Sequence, residues 1–181
     1  MASMKNALLI IVVLFFSVVL CAQQPAVAPD WDAWKFLLGK WVGEGSSDIG
    51  QGSGYFTFEP DLQGRVLVRR NHAEYPAAKD RPAYAHDDLM VVFLDSATKQ
   101  TQAVFFDNEG HSIHYAANLS QDGKKVTFLS DLQPGASRYR LIYVLTQPDH
   151  MSLTFEIAPP DKPEEFHTFI EGSVRKLADH K

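Results

Sequence analysis

From Gly39 to Lys176 the chain is a succession of short runs in which apolar and polar residues alternate, rich in Val, Ile, Tyr, Phe and Thr and ended by turn formers. A period of two places successive side chains on opposite faces, the pattern of a half-buried strand. Helical bundles and layered α/β folds are excluded by that pattern alone. Strands are expected near Lys40–Gly45, Gly54–Glu59, Arg65–Tyr75, Asp87–Leu94, Gln100–Asp107, His111–Leu119, Lys125–Ser130, Arg138–Leu145, Met151–Ala158 and Glu165–Lys176.

Between them lie Asp61-Leu62-Gln63-Gly64, Asp95-Ser96-Ala97-Thr98, Asn108-Glu109-Gly110, Gln121-Asp122-Gly123 and Gln147-Pro148-Asp149-His150. Each suits a hairpin loop of about two to five residues, so consecutive strands should be antiparallel neighbours. A meander of this length has two raw edges, and closure into an up-and-down barrel removes both. The expected fold is therefore all-β: an antiparallel up-and-down barrel of about ten strands. An open two-sheet sandwich is the alternative.

One segment departs from the strand pattern. Asp30-Trp31-Asp32-Ala33-Trp34-Lys35-Phe36-Leu37-Leu38 reads as a short helix with Asp30 as cap and Trp31, Trp34, Leu37 and Leu38 on one face; Gly39 ends it.

Two runs carry polar side chains on both faces. In Arg65–Tyr75, Arg70, His72 and Glu74 alternate with Arg69 and Asn71; in Arg138–Leu145, Arg138 and Arg140 alternate with Tyr139 and Tyr143. Strands of this kind favour a barrel with a cavity over a solid core. Arg69, Arg70, His72, His114, Arg140, Tyr143 and His167 are the candidates to line it. The loops Tyr75–Tyr84 and Pro159–Pro163 are candidates for its rim.

The N-terminus has a short polar start with Lys5, an apolar run from Ala7 to Leu20, and a small or polar stretch from Cys21 to Ala28. That is the layout of a secretory signal peptide, and a run of about 14 to 16 residues is short for a permanent span. The expected division is 1–22 signal peptide, 23–35 linker and start of the helix, 36–176 barrel, and 177–181 polar tail. The expected location is secreted or periplasmic, with no stable membrane span after processing. Bulky Val19 and Leu20 before Cys21 argue against lipid attachment there. Cleavage after Ala22 removes the one cysteine, so no disulfide or cysteine-based metal site is expected in the mature chain. It also removes Lys5, taking the formal charge from −5 to −6. Without a basic patch, nucleic acid is not an expected partner.

The stretch Phe36-Leu37-Leu38-Gly39-Lys40-Trp41, with glycine two residues before tryptophan at the start of the first strand, resembles the calycin barrels, which include lipocalins and fatty-acid-binding proteins. The resemblance implies that Trp41 plugs the closed end and that a basic residue of the last strand lies across it; Arg175 is placed for that role. The longer form Gly39-x-Trp41-x-Gly43-x-Gly45 is similar to the opening of nitrobindin-like heme-binding barrels. The later pattern, with Leu94-Asp95, Phe106-Asp107, Asn118–Gly123 and Glu171-Gly172-Ser173-Val174-Arg175-Lys176, resembles a bacterial family of secreted barrels of unknown function. Nitrobindins carry their iron-ligating histidine after the last strands. Here His167 lies inside a strand and His180 in a polar tail, so the heme reading departs from the pattern.

No motif argues for catalysis. Gly50-Gln51-Gly52-Ser53-Gly54 has glycine where a nucleophile elbow needs serine, and no Lys-Ser or Lys-Thr follows to make a phosphate loop. His111 and His114, three apart on a strand, point to opposite faces and cannot jointly grip one ion. His86-Asp87-Asp88 reads as the solvated start of a strand, and no metal site is expected. His72 and Glu74 share a face and form the best general acid/base pair, which keeps a hydrolase or isomerase as an alternative. The favoured expectation is a non-enzymatic barrel for a small apolar or amphipathic ligand.

Overall fold

The structure is a computed structural model that describes residues 29–44 and 53–178. The signal-peptide segment with Cys21, the first linker residues, Gly45, most of the Gly50–Gly54 loop and His180 lie outside the described residues. A short 3-10 helix, Asp32–Leu37, precedes ten strands: β1 (Gly39–Glu44), β2 (Ser53–Asp61), β3 (Val66–Tyr75), β4 (Tyr84–Leu94), β5 (Thr101–Asp107), β6 (Ser112–Leu119), β7 (Lys125–Ser130), β8 (Arg138–Gln147), β9 (His150–Ala158) and β10 (His167–Lys176).

Every strand pairs with its neighbours in sequence, and β1 pairs antiparallel with β10, so the sheet closes into a barrel without an edge. Closure excludes the open sandwich. The fold is a closed ten-stranded antiparallel barrel, consistent with a calycin-like barrel.

The helix is 3-10 because its apolar side chains recur every third residue: Trp31, Trp34 and Leu37 then eclipse on one side. Asp30 acts ahead of it as an Asx turn, its Oδ1 accepting the Asp32 N–H at 2.9 Å. Trp31 Nε1 donates to the Gly64 carbonyl in the β2–β3 turn at 2.7 Å, which fixes the helix against one end of the barrel. Gly39 joins helix to strand with φ +99, where a Cβ would also lie 3.0 Å from Lys176 Cε.

Below that helix the interior is packed solid. Trp41, Phe58, Leu67, Met90, Val92, Val126, Phe128 and Tyr143 all round to 0% exposed, leaving no room for a water molecule against them. The rings meet edge to face: Phe56–Tyr143 at 5.4 Å, Phe58–Tyr143 at 5.8 Å and Phe128–Tyr143 at 6.4 Å between centroids. Burial of side chains this size stabilises the fold by about 1.5–3 kcal/mol each. Trp41 plugs the end as expected, its Nε1 donating to the Leu37 carbonyl at 2.8 Å.

The residue across Trp41 is Lys176, whose Nζ lies 5.6 Å from the ring centroid, and not Arg175. The register explains the correction: Trp41 faces Lys176 across the β1–β10 pair, so Arg175, opposite Val42, points outward. There its Nε donates to Glu44 at 3.1 Å.

Candidate functional site

The up-and-down path leaves the helix and the turns after β2, β4, β6 and β8 at the closed end, and the 76–83, 108–111, 131–137 and 159–166 connections at the other. The two stretches read as rim loops, Tyr75–Tyr84 and Pro159–Pro163, therefore lie at the open end. Toward that end the inner face turns polar. The β2–β5 register lines up Asn71, Asp88 and Asp107 across one row, with Arg69 beside Met90 one step deeper and His86 beside Ala73 one step nearer the rim.

Arg69 Nη1 donates to Asp88 Oδ1, and the two side chains are 5% and 4% exposed. Burial works most strongly against the Arg69 charge, and Asp88 together with the Tyr143 and Tyr115 hydroxyls outweighs it, leaving its pKa above the ordinary value. His86, two residues before Asp88 on the same strand face, places Nε2 3.4 Å from Asp88 Oδ2 and Nδ1 3.1 Å from Glu109 Oε1. Hydrogen bonding to Asp88, and after burial's opposing effect to Glu109, pushes the imidazole up to about 9, so it is a cation at neutral pH.

The β5–β6 turn is held where Glu109 can do this. Asp107 Oδ1 accepts the N–H groups of Glu109 and His111 at 3.0 and 2.8 Å, while its Oδ2 faces His111 Nδ1 at 2.8 Å. Burial raises the Asp107 pKa, but the bonds from His111 and Glu109 outweigh it and hold the carboxyl below its ordinary range. Asn108 ties the same turn to the start of β4: its Nδ2 donates to the Ala85 carbonyl at 3.0 Å and its Oδ1 accepts the Asp87 N–H at 3.2 Å. Tyr75 and Tyr84 stack at 4.7 Å on the adjoining rim, with Arg81 over Tyr84 at 4.7 Å. A depression of about 330 Å³ opens between the β5–β6 turn and the β7–β8 loop, with Ile113 and Tyr139 as apolar walls and Ser130 and Asp131 as polar ones.

The expected cavity residues divide by strand parity. Arg69 and Tyr143 are on the inner face, Arg69 under the polar row and Tyr143 within the packed core. His167, opposite Ile157, is on the inner face by register and exposed at the rim. Arg70, His72, His114 and Arg140 are on the outer face and cannot line the interior. Arg140 donates to Glu156 and lies 4.0 Å over the Phe166 ring. Arg70 and His72 flank a shallow external depression of about 530 Å³ with Tyr55, Leu89 and Phe106.

His72 and Glu74 are likewise outside the mouth. His72 Nδ1 is 2.7 Å from Asp87 and Nε2 3.3 Å from Glu74, so carboxylates occupy both ring nitrogens. The hollow interior expected from two-faced strands does not extend beneath the Arg69–Asp88 pair, since that pair satisfies the inward charge of β3 and aromatic rings fill the space below it. His86-Asp87-Asp88 is not a solvated strand start: Asp88 is buried and His86 half-buried. His86, Asp88, Asp107 and Glu109 were missed because both faces of β4 carry apolar residues, and only the pairing of Asp88 with Asn71 and Asp107 reveals which face is inside.

No protein-family model and no curated protein matches the chain. The class of the molecule thus rests on its own architecture: a closed ten-stranded barrel, plugged at one end and polar at the other.

Proposed function

We propose that this is a secreted small-molecule-binding barrel that takes an apolar or amphipathic ligand at its open end and performs no chemistry on it. The observation that carries the reading is the buried Arg69–Asp88 pair, continued by His86, at the floor of the open end. Desolvating two charges costs several kcal/mol per ion, and an apolar pair of similar volume would stabilise the barrel at least as well. Fixed polar groups set among apolar walls are the ordinary composition of a small-molecule site. Ile113 and Tyr139 provide such walls in the depression between the β5–β6 turn and the β7–β8 loop at the same end. Because the base is filled, the ligand sits above the Arg69–Asp88 pair and not along the whole axis. The apolar leader Ala7–Leu20 supports export.

The test is native mass spectrometry of the purified protein, followed by solvent extraction and identification of whatever leaves. A stoichiometric small molecule in the wild-type protein, lost in Ile113→Trp with the fold intact by circular dichroism, is the expected result. A ligand retained unchanged in that variant, or no added mass together with no thermal shift across a library of fatty acids and other amphiphiles, overturns the proposal.

A further inference from the structure

We propose that the open end holds one divalent transition-metal ion between His86, Asp107 and Glu109. One donor atom from each of these side chains lies within 4.8 Å of the other two. Donors around a zinc ion sit at about 2.0–2.2 Å from it, which puts neighbouring donors roughly 3.3 Å apart. His86 Nδ1 and Glu109 Oε1 already stand 3.1 Å apart, so the difference lies with Asp107 and is closed by moving those two donors toward it; Glu109, half exposed at the tip of the β5–β6 turn, has the room to do so. Asp107 is already fixed: two backbone N–H groups hold its Oδ1, and Oδ2 keeps a lone pair beyond the one that accepts from His111.

A second, independent observation lies outside the cluster. The far nitrogen of His86, Nε2, faces Asp88, whose other oxygen is gripped by Arg69, and both of those residues are buried. Ligating histidines in metal sites have a similar arrangement, with the second ring nitrogen facing a carboxylate that is itself anchored, here at 3.4 Å, and the first left to the ion. It gives the buried ion pair a purpose that stability does not, since it orients His86 from beneath. One imidazole and two carboxylates make a mixed donor set that suits Zn²⁺ or Mn²⁺ better than Ca²⁺ or Mg²⁺, which prefer oxygen alone. As the ion binds, the Nδ1 proton facing Glu109 leaves to water and the Nδ1 lone pair takes its place on the metal. The inference does not rest on the small-molecule reading.

The purified protein, treated with a chelator and dialysed, is titrated calorimetrically with zinc chloride and, separately, manganese chloride. One ion per chain is expected, with at least tenfold weaker binding in Glu109→Gln and in His86→Ala. His114→Ala, which removes an exposed outer-face histidine, is expected to bind as wild type. Circular dichroism checks each fold; should His86→Ala fail to fold, the half-exposed Glu109→Gln decides. The proposal is overturned by the absence of saturable one-to-one binding of either metal, by undiminished binding in Glu109→Gln, or by an equal loss in His114→Ala. Metal binding without any copurified organic molecule leaves it standing and removes only the ligand reading.

Discussion

Replacing Asp88 by Asn isolates the energetics of the buried pair. Asn keeps the shape and one acceptor oxygen but removes the charge, and Arg69, 5% exposed, then carries a cation with no direct counter-ion. Removing one partner of a buried pair costs about 3–5 kcal/mol, because the remaining charge stays out of water uncompensated. Asp107, next in the same cross-strand row, is already committed to the β5–β6 turn and to His111. Urea unfolding of a domain this size has a slope of about 2 kcal/mol per molar, so the midpoint should fall by about 1.5–2.5 M. The informative companion is Arg69→Met with Asp88→Leu, which removes both charges and keeps the volume. That double variant should recover wild-type stability to within about 1 kcal/mol or exceed it. Tryptophan fluorescence and far-ultraviolet circular dichroism report the transitions, and the two single variants complete a double-mutant cycle. A loss below about 1 kcal/mol in Asp88→Asn, or a double variant as unstable as the single one, refutes the picture of a desolvated, mutually compensated pair.

Tyr143→Phe should change stability by less than about 1 kcal/mol in the same assay, because the buried hydroxyl makes no close hydrogen bond among the described residues and interacts only weakly with Arg69; a larger loss would mean that the oxygen is firmly bonded to Arg69. Of the six tyrosines, Tyr143, pushed up to about 12 by burial, and Tyr115, raised for the same reason, should ionise last in an absorbance titration. Since the folded value of Tyr143 lies above the ordinary 10.0, stability should be unaffected by it below pH 10 and decline as pH rises toward 12; simultaneous ionisation of all six near pH 10 in a folded protein would contradict this. At the closed end, Lys176→Met should cost about 1 kcal/mol through the lost contact with Trp41, whereas Arg175→Met, which breaks only an exposed pair, should stay within about 0.5 kcal/mol. Thermal melts that rank the two in the opposite order would contradict the register of β1 with β10.

The ten strands and their antiparallel order were legible in the sequence because each depends on local information, alternation at period two and turn chemistry, whereas the Trp41 plug was implied by the resemblance of the Gly39-x-Trp41 stretch to calycin barrels. Closure followed from the same reading, since only a barrel hides both edges of such a meander. What alternation does not carry is the identity of the inner face wherever both faces mix polar and apolar residues, as in β3, β4 and β8. A shift of one residue exchanges the faces, and that choice is made by partners far away in the chain. Arg70, His72, His114 and Arg140 proved external, and Arg175, named from the resemblance, gave way to its neighbour Lys176 because the β1–β10 register puts Lys176 opposite Trp41. The site at the open end is the extreme case. Its residues come from β3, β4, the end of β5 and the β5–β6 turn, and His86 meets Glu109 with Asn108 fastening that turn to the neighbouring strand. Strand periodicity is a property of the sequence, whereas the meeting of charges across strands is a property of register, and register exists only once the barrel has closed.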